Sequence, residues 1–301
     1  MNVANNDYRK YLSPQTISSL GNIELKAKLV VEGFITGLHK SPYHGFSIEF
    51  AEHRQYRPGD EIRHIDWKVY GRSNRFYVKQ FEEETNLRGM VAIDSSASMK
   101  FASKGNISKF EYASYLGAAL IYLMMNQRDA AGLALYNTEI QKFFPPRSKQ
   151  SYMAELLKTL ENTVPSDKTG TAKSLHILAE RVKNRSLVIV ISDFFDDPNE
   201  VVSALKHFRH NNHEVLVFQL LDPRELDFDF GYKSTFIDME TNDEIVTEPY
   251  QIKAEYQKLL KEFTNKIENG CREANINYSL IDTSTPFDKA LKDYLNKRVR
   301  I

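Results

Sequence analysis

The run LVIVI at 187–191, closed by Ser192 and Asp193, constrains this chain more than any other feature. A strand with one wet face alternates apolar and polar residues. A run without alternation belongs to a strand covered on both faces, as in a parallel sheet. GMVAID (89–94), AAGLALY (130–136), EVLVFQLL (214–221) and YSLID (278–282) have a similar apolar character.

The segments between these runs read as helices. Ser108-Lys109-Phe110-Glu111 is a capping box, with a serine followed three residues later by a glutamate, and it opens a helix to about Asn126. Met153, Leu156, Leu157 and Leu160 share a helical face, and another helix follows Thr171. Asp197-Pro198-Asn199-Glu200 offers an N-cap, a proline at the first helical position and an early acid. A long helix is expected from about Pro249 to Glu273, and a last one after YSLID. Strands alternating with helices predict an α/β fold: a doubly wound, mostly parallel sheet with helices on both faces. EIQKFF (139–144) is expected as an edge strand.

Two regions lie outside that alternation. Residues 1–86 read as an N-terminal extension, helical to about residue 36 (Leu20, Ile23, Leu25, Leu29 and Val30 at helical spacing), then loops and short strands. Residues 87–301 form the main domain, with a hairpin insertion near 224–248 (STFIDMETNDEIVTE).

Composition removes several functions. The 40 basic and 40 acidic side chains cancel, which argues against a general nucleic-acid binder. The single Cys271 allows neither an internal disulfide framework nor a multi-cysteine zinc site, and reads as a packed small residue. There is no G-x-x-x-x-G-K-[ST] loop for ATP and no G-x-S-x-G elbow. The N-terminus lacks the apolar core of a signal peptide, and YLGAALIYLMM is too short to span a bilayer. A soluble, cytoplasmic protein without direct membrane insertion is the expectation.

The chemistry sits at two strand ends. In a doubly wound sheet ligands bind outside the carboxyl ends of the strands, so Asp94 and Asp193 should face one crevice. In DSSAS, Asp94, Ser96 and Ser98 alternate, and a loop there can turn all three to one point. A carboxylate and two hydroxyls are hard oxygen donors suited to Mg²⁺, with Mn²⁺ and Ca²⁺ as the other candidates. Thr171, where TGTAKS enters a helix, and Asp193 are further ligand candidates, and Thr169 competes with Thr171.

These motifs resemble the metal-ion-dependent adhesion site of von Willebrand factor A domains: DxSxS after a strand, a Gly-Thr about seventy residues on, and SD after a later strand. The resemblance implies direct ligation by Ser96 and Ser98. It implies direct or water-mediated ligation by Thr171, and mainly water-mediated roles for Asp94 and Asp193. One coordination position would stay open for a partner's carboxylate. The block GLHKSPYHGFSIEFAEHRQYRPGDEIRHIDWKVYGRSNRFYVKQFEEETN (37–86), with LDPRELDFDF and DTSTPFDKALKDYLNKR, is similar to the bacterial "domain of unknown function 58" family. That resemblance implies a MoxR-type AAA+ ATPase as partner and a role in assembling or maturing a client protein, bound through an acidic side chain at the metal.

Alternatives stay open at this level. Arg54, Arg57, Arg63, His64, Asp66 and Trp67 read either as a docking surface or as an ion-paired network fixing the extension. The metal cage could serve a metal-dependent hydrolase or phosphoesterase instead of an adaptor, although no dedicated general base stands out.

Overall fold

The computed structural model describes residues 13–39, 54–56, 70–72, 75–78, 87–166, 168–239 and 243–298. Contacts divide the chain into two compact units, residues 38–86 and residues 1–37 together with 87–301. The extension expected over 1–86 is therefore split: its two described helices belong to the same unit as the sheet.

The apolar runs become the strands of one six-stranded sheet. In chain order they are β3 (Arg88–Asp94), β4 (Ala130–Tyr136), β5 (Ile140–Arg147), β6 (Leu187–Ser192), β7 (Glu214–Leu221) and β10 (Asn277–Asp282). Across the sheet the order is β10-β7-β6-β3-β4-β5. All neighbours pair in parallel except β5, which runs antiparallel to β4 at the edge. Pro145 and Pro146 fall on β5, where the missing N–H groups cost least.

Alternate residues of each central strand feed two cores. Met90 and Ala92 of β3, Val188 and Val190 of β6, and Val215 and Val217 of β7 face one layer of helices. That layer contains α5 (Thr171–Arg181), α6 (Pro198–His210) and α8 (Pro249–Glu273). Val91 and Ile93 face the other way, toward α3 (Lys109–Asn126), where Gly117 lets the helix sit close. A Cβ at Gly117 would lie 2.7 Å from Ile93 Cδ1. All six residues of β6 are buried, so the missing alternation was a true signal of double cover. Burying each large aliphatic side chain contributes about 1.5–3 kcal/mol.

The helix on the extension also joins this second face. In α2 (Ile23–His39) the buried residues are Ile23, Ala27, Val30, Val31 and Phe34, at helical spacing. Leu25, expected on that stripe, is exposed, because it lies two positions off the buried face. Lys26 Nζ donates to Tyr115 Oη of α3 at 3.0 Å, and Ile23 N–H donates to Glu161 Oε1 of α4 (Gln150–Glu161) at 3.3 Å. α1 (Pro14–Ser18) precedes α2 and is capped by Ser13.

α7 (Pro223–Asp227) follows β7, and β8 (Ser234–Ile237) pairs with β9 (Glu244–Thr247) as the hairpin of the insertion. α9 (Asp288–Arg298) ends the described chain, with Phe287 ahead of it packed on Tyr112 of α3 at a centroid distance of 4.5 Å. In the second unit, β1 (Arg54–Gln55) pairs antiparallel with β2 (Tyr77–Val78), and Tyr70 stacks on Phe76.

Candidate metal centre

The strand order reverses direction between β3 and β6, which start the two halves of the sheet. A doubly wound sheet opens a crevice at such a point, beyond the carboxyl ends of the two strands. Asp94 is the last residue of β3, and Asp193 follows the last residue of β6. Both are fully buried, as are Ser96 and Thr171.

Asp94 is the hub. Its Oδ1 accepts the Ser96 N–H at 2.9 Å, a bond that folds the chain sharply out of the strand. Its Oδ2 accepts the Ser192 hydroxyl at 2.7 Å and the Thr171 hydroxyl at 3.2 Å. A short 3-10 turn, Ala97–Lys100, begins after Ser96 and turns Ser98 back toward it. The Ser96 and Ser98 Oγ atoms stand 3.1 Å apart. Ser98 is only partly buried, so the cluster opens to solvent on its side.

Thr171 is placed by its helix. It is the first residue of α5, after Gly170. A Cβ on Gly170 would lie 2.9 Å from Thr138 Cα, so glycine lets this loop close on the β4–β5 turn. Asp196 Oδ2 accepts the Ala172 N–H at 3.1 Å and ties the start of α5 to the loop after β6. Ser166 N–H donates to the Ser95 carbonyl at 2.9 Å and brings the 163–166 loop to the same rim.

Asp193 is held from three directions. Its Oδ1 accepts the Phe195 N–H at 3.2 Å, its Oδ2 accepts from Lys109 Nζ at 2.8 Å, and its carbonyl accepts from Gln219 Nε2 at 2.8 Å. Phe194 takes φ 59°, an uncommon conformation for a bulky residue, and so turns the chain immediately after Asp193.

Lys109, Ser192 and Glu225 were not singled out from sequence. Lys109 was legible in one respect: it stands at the first position of a helix, where a cation opposes the helix dipole. Ser192 was hidden as the polar end of an apolar run, and Glu225 inside a second capping box, Asp222-Pro223-Arg224-Glu225. Lys109 Nζ also donates to Glu225 Oε1 at 2.7 Å. Burial alone would push the Lys109 ammonium down, but Asp193 and Glu225 outweigh it and hold it above the usual lysine range. Burial, and then the nearby Asp193 charge, push Asp94 up to about 6, against hydrogen bonds from Ser96 and Ser192 that favour its anion.

The donor set suits a small hard cation. Octahedral Mg²⁺ with oxygen ligands at about 2.1 Å sets adjacent ligands about 3.0 Å apart, close to the spacing of the Ser96–Ser98 pair. Ca²⁺, with longer bonds, would spread that pair at the same angle. If all are ionised, Asp94, Asp193 and Glu225 outnumber Lys109 by two charges, which a divalent ion would neutralise. Among the described residues no three His, Cys, Asp or Glu side chains form a metal cluster.

Of the proposed docking residues, Arg54 has a described backbone in β1 but no described side chain. Arg57, Arg63, His64, Asp66 and Trp67 lie outside the described residues.

The strand order, with the Asp-Ser-Ser loop at its switch point, defines a doubly wound, mostly parallel α/β domain. The chain belongs to the family described as protein of unknown function DUF58, which it matches over residues 52–266. Uncharacterized proteins of Mycobacterium bovis and Mycobacterium tuberculosis are 27% identical over 218 residues, 71% of this chain and 68% of theirs. Among solved structures, the chain is similar to the hypothetical protein BatB of Bacteroides thetaiotaomicron. That likeness has a TM-score of 0.49 and 19% identity, over 71% of this chain and 100% of the other. An aerotolerance-related membrane protein of Bacteroides fragilis gives a TM-score of 0.48 and 20% identity, over 70% and 99% of the two chains. No helix among the described residues of the present chain is long and apolar enough to cross a membrane.

Proposed function

We propose that this chain is a non-enzymatic, metal-dependent protein-interaction module. Ser96 and Ser98 would hold Mg²⁺ directly and Thr171 directly or through water, while Asp94 and Asp193 would act mainly through water. When bound, the ion would supply a Lewis-acidic position that attracts an acidic side chain of a partner. In this reading the partner is a MoxR-type AAA+ ATPase, and the two work in the cytoplasm on the assembly or maturation of a client protein.

The observation that carries the reading is the meeting of Ser96, Thr171 and Ser192 on the single carboxylate of Asp94, with Ser98 against Ser96. Three separate elements are fixed to one buried point by those bonds. Both Asp94 oxygens and both Asp193 oxygens already accept from protein donors, which supports their outer role and leaves the hydroxyls as inner ligands. A site held largely by neutral hydroxyls would leave the ion most of its charge, and that favours capture of an anion. A hydrolase would need a base in contact with substrate water. Asp94 is pushed up to about 6, yet it is fully buried beneath its donors, so the arrangement favours binding over turnover.

The test is a calorimetric titration of the full chain with a MoxR-type AAA+ ATPase, in Mg²⁺ and in EDTA. Binding should appear in Mg²⁺, vanish in EDTA and vanish in Ser96→Ala/Ser98→Ala. Equal binding under all three conditions would remove the metal bridge from the mechanism.

A further inference from the structure

Lys109 stands in a costly place. An ammonium at a helix N-terminus works against the helix dipole, and taking it out of water is expensive unless it is paired. Its side chain is only 1% exposed. The rings of Phe195 and Phe101 lie 4.9 Å and 5.9 Å from its Nζ and close it off from solvent. Its partners come from two further strand ends: Asp193 after β6 at 2.8 Å, and Glu225 in α7, after β7, at 2.7 Å. Glu225 is itself fixed, because its Oε2 accepts the Asp222 N–H at 2.8 Å. Asp222 Oδ2 accepts the N–H and hydroxyl of Ser103, in the loop that leaves the Ser96–Ser98 turn. Lys109 is thus clamped between a fixed acid and the carboxylate that faces the candidate metal centre.

We propose that Lys109 is a positioning cation for that centre: it commits Asp193 to the outer shell and keeps the protein's own hold on the ion weak. A partner's carboxylate is then needed to complete tight binding. This rests on the metal-site reading above. An oxygen already accepting from an ammonium has less negative charge to offer a second cation. The buried ammonium and the ion also repel each other in a medium that screens them poorly. A plain ion-paired staple would need the same contacts, so the two roles must be separated by a readout other than stability.

Calorimetry with Mg²⁺ alone on the full chain makes the separation. Lys109→Met/Glu225→Gln removes one positive and one negative charge, so the cluster keeps its net charge and most of its volume. Freed of Lys109, Asp193 should approach the ion, and the Kd for Mg²⁺ should fall about tenfold or more. Adding Asp193→Asn to the double variant should erase that gain. Lower thermal stability with an unchanged or weaker Kd, in a wild type that does bind Mg²⁺, overturns the positioning role and leaves the metal-site reading standing. Silence of both wild type and double variant toward Mg²⁺ overturns both. Should the double variant lose its fold without metal, refolding by Mg²⁺ in far-UV circular dichroism supports the inference. Failure to refold sinks it.

Discussion

The Thr171 hydroxyl donates to Asp94 Oδ2 at 3.2 Å, although 77 residues separate them. The bond joins the start of α5 to the end of β3 across the switch point of the sheet. A threonine that packed only for shape would not need to aim its hydroxyl at a buried carboxylate. Thr171→Ala should leave the fold intact at a cost of about 1 kcal/mol, the ordinary net worth of one hydrogen bond. It should also reduce the gain in melting temperature that Mg²⁺ gives over EDTA. Thr171→Ser should keep that gain. Equal Mg²⁺ effects in the two variants would take Thr171 out of the ligand set.

The carboxyl of Asp94 sets a pH dependence. Its ordinary value of 3.8 is pushed up to about 6 by burial and by Asp193, so the folded state keeps this proton longer than the unfolded chain. Stability from this group is therefore complete below about pH 4 and declines as pH rises through about 6. Urea denaturation across that window should show the decline in wild type and lose that contribution in Asp94→Asn. A cation at the site competes with the same proton, so Mg²⁺ affinity should rise through the window and level off above it. A pH-independent affinity would contradict the placement of Asp94 beside the ion.

Gly170 tests how the loop positions Thr171. An added Cβ would lie 2.9 Å from Thr138 Cα, a backbone atom that has little room to retreat. Gly170→Ala should cost roughly 1–3 kcal/mol through this overpacking. Because the displaced backbone carries Thr171, Mg²⁺ should stabilise the variant less than wild type. Thermal melts with and without Mg²⁺ read both effects, and an unchanged Mg²⁺ increment would show that the loop absorbs the shift elsewhere.

Cys271 gives a simple check on the packing of α8. It is fully buried, and burial, with a smaller opposing effect of Lys206, pushes its thiol up to about 12. Only the thiolate attacks a thiol reagent, so the native protein should be inert to Ellman's reagent at pH 8. The denatured chain should release one equivalent of colour, since it has one cysteine. Rapid native reaction would mean that α8 opens readily from the sheet.

Local pattern was enough for much of the fold. The apolar runs set the central strands, because a strand covered on both faces must be apolar throughout. The Ser108–Glu111 capping box and the Asp197-Pro198 start were readable because caps are made by neighbours in sequence. The same holds for Asp94, Ser96 and Ser98, whose spacing alone suggests a common focus. The site roles of Lys109, Ser192 and Glu225 were not readable, because the partners that give them those roles come from distant strand ends. The short span of α2 that turns inward was also fixed by tertiary contact, since Ala27 and Phe34 rather than Leu25 meet the core.

What the sequence determined by itself was therefore a set of elements and a list of site candidates: a parallel sheet, its helices, the Asp-Ser-Ser loop at one strand end, and Thr171 and Asp193 at other element ends. Only the tertiary structure decided the strand order, and with it the neighbours of that loop. Placing β6 beside β3 brings Asp193 and Ser192 to Asp94 and brings Lys109 between Asp193 and Glu225. The physical reason is range. Apolar period and capping act within a few residues, whereas the electrostatics of a buried site depend on charges that only chain packing brings together.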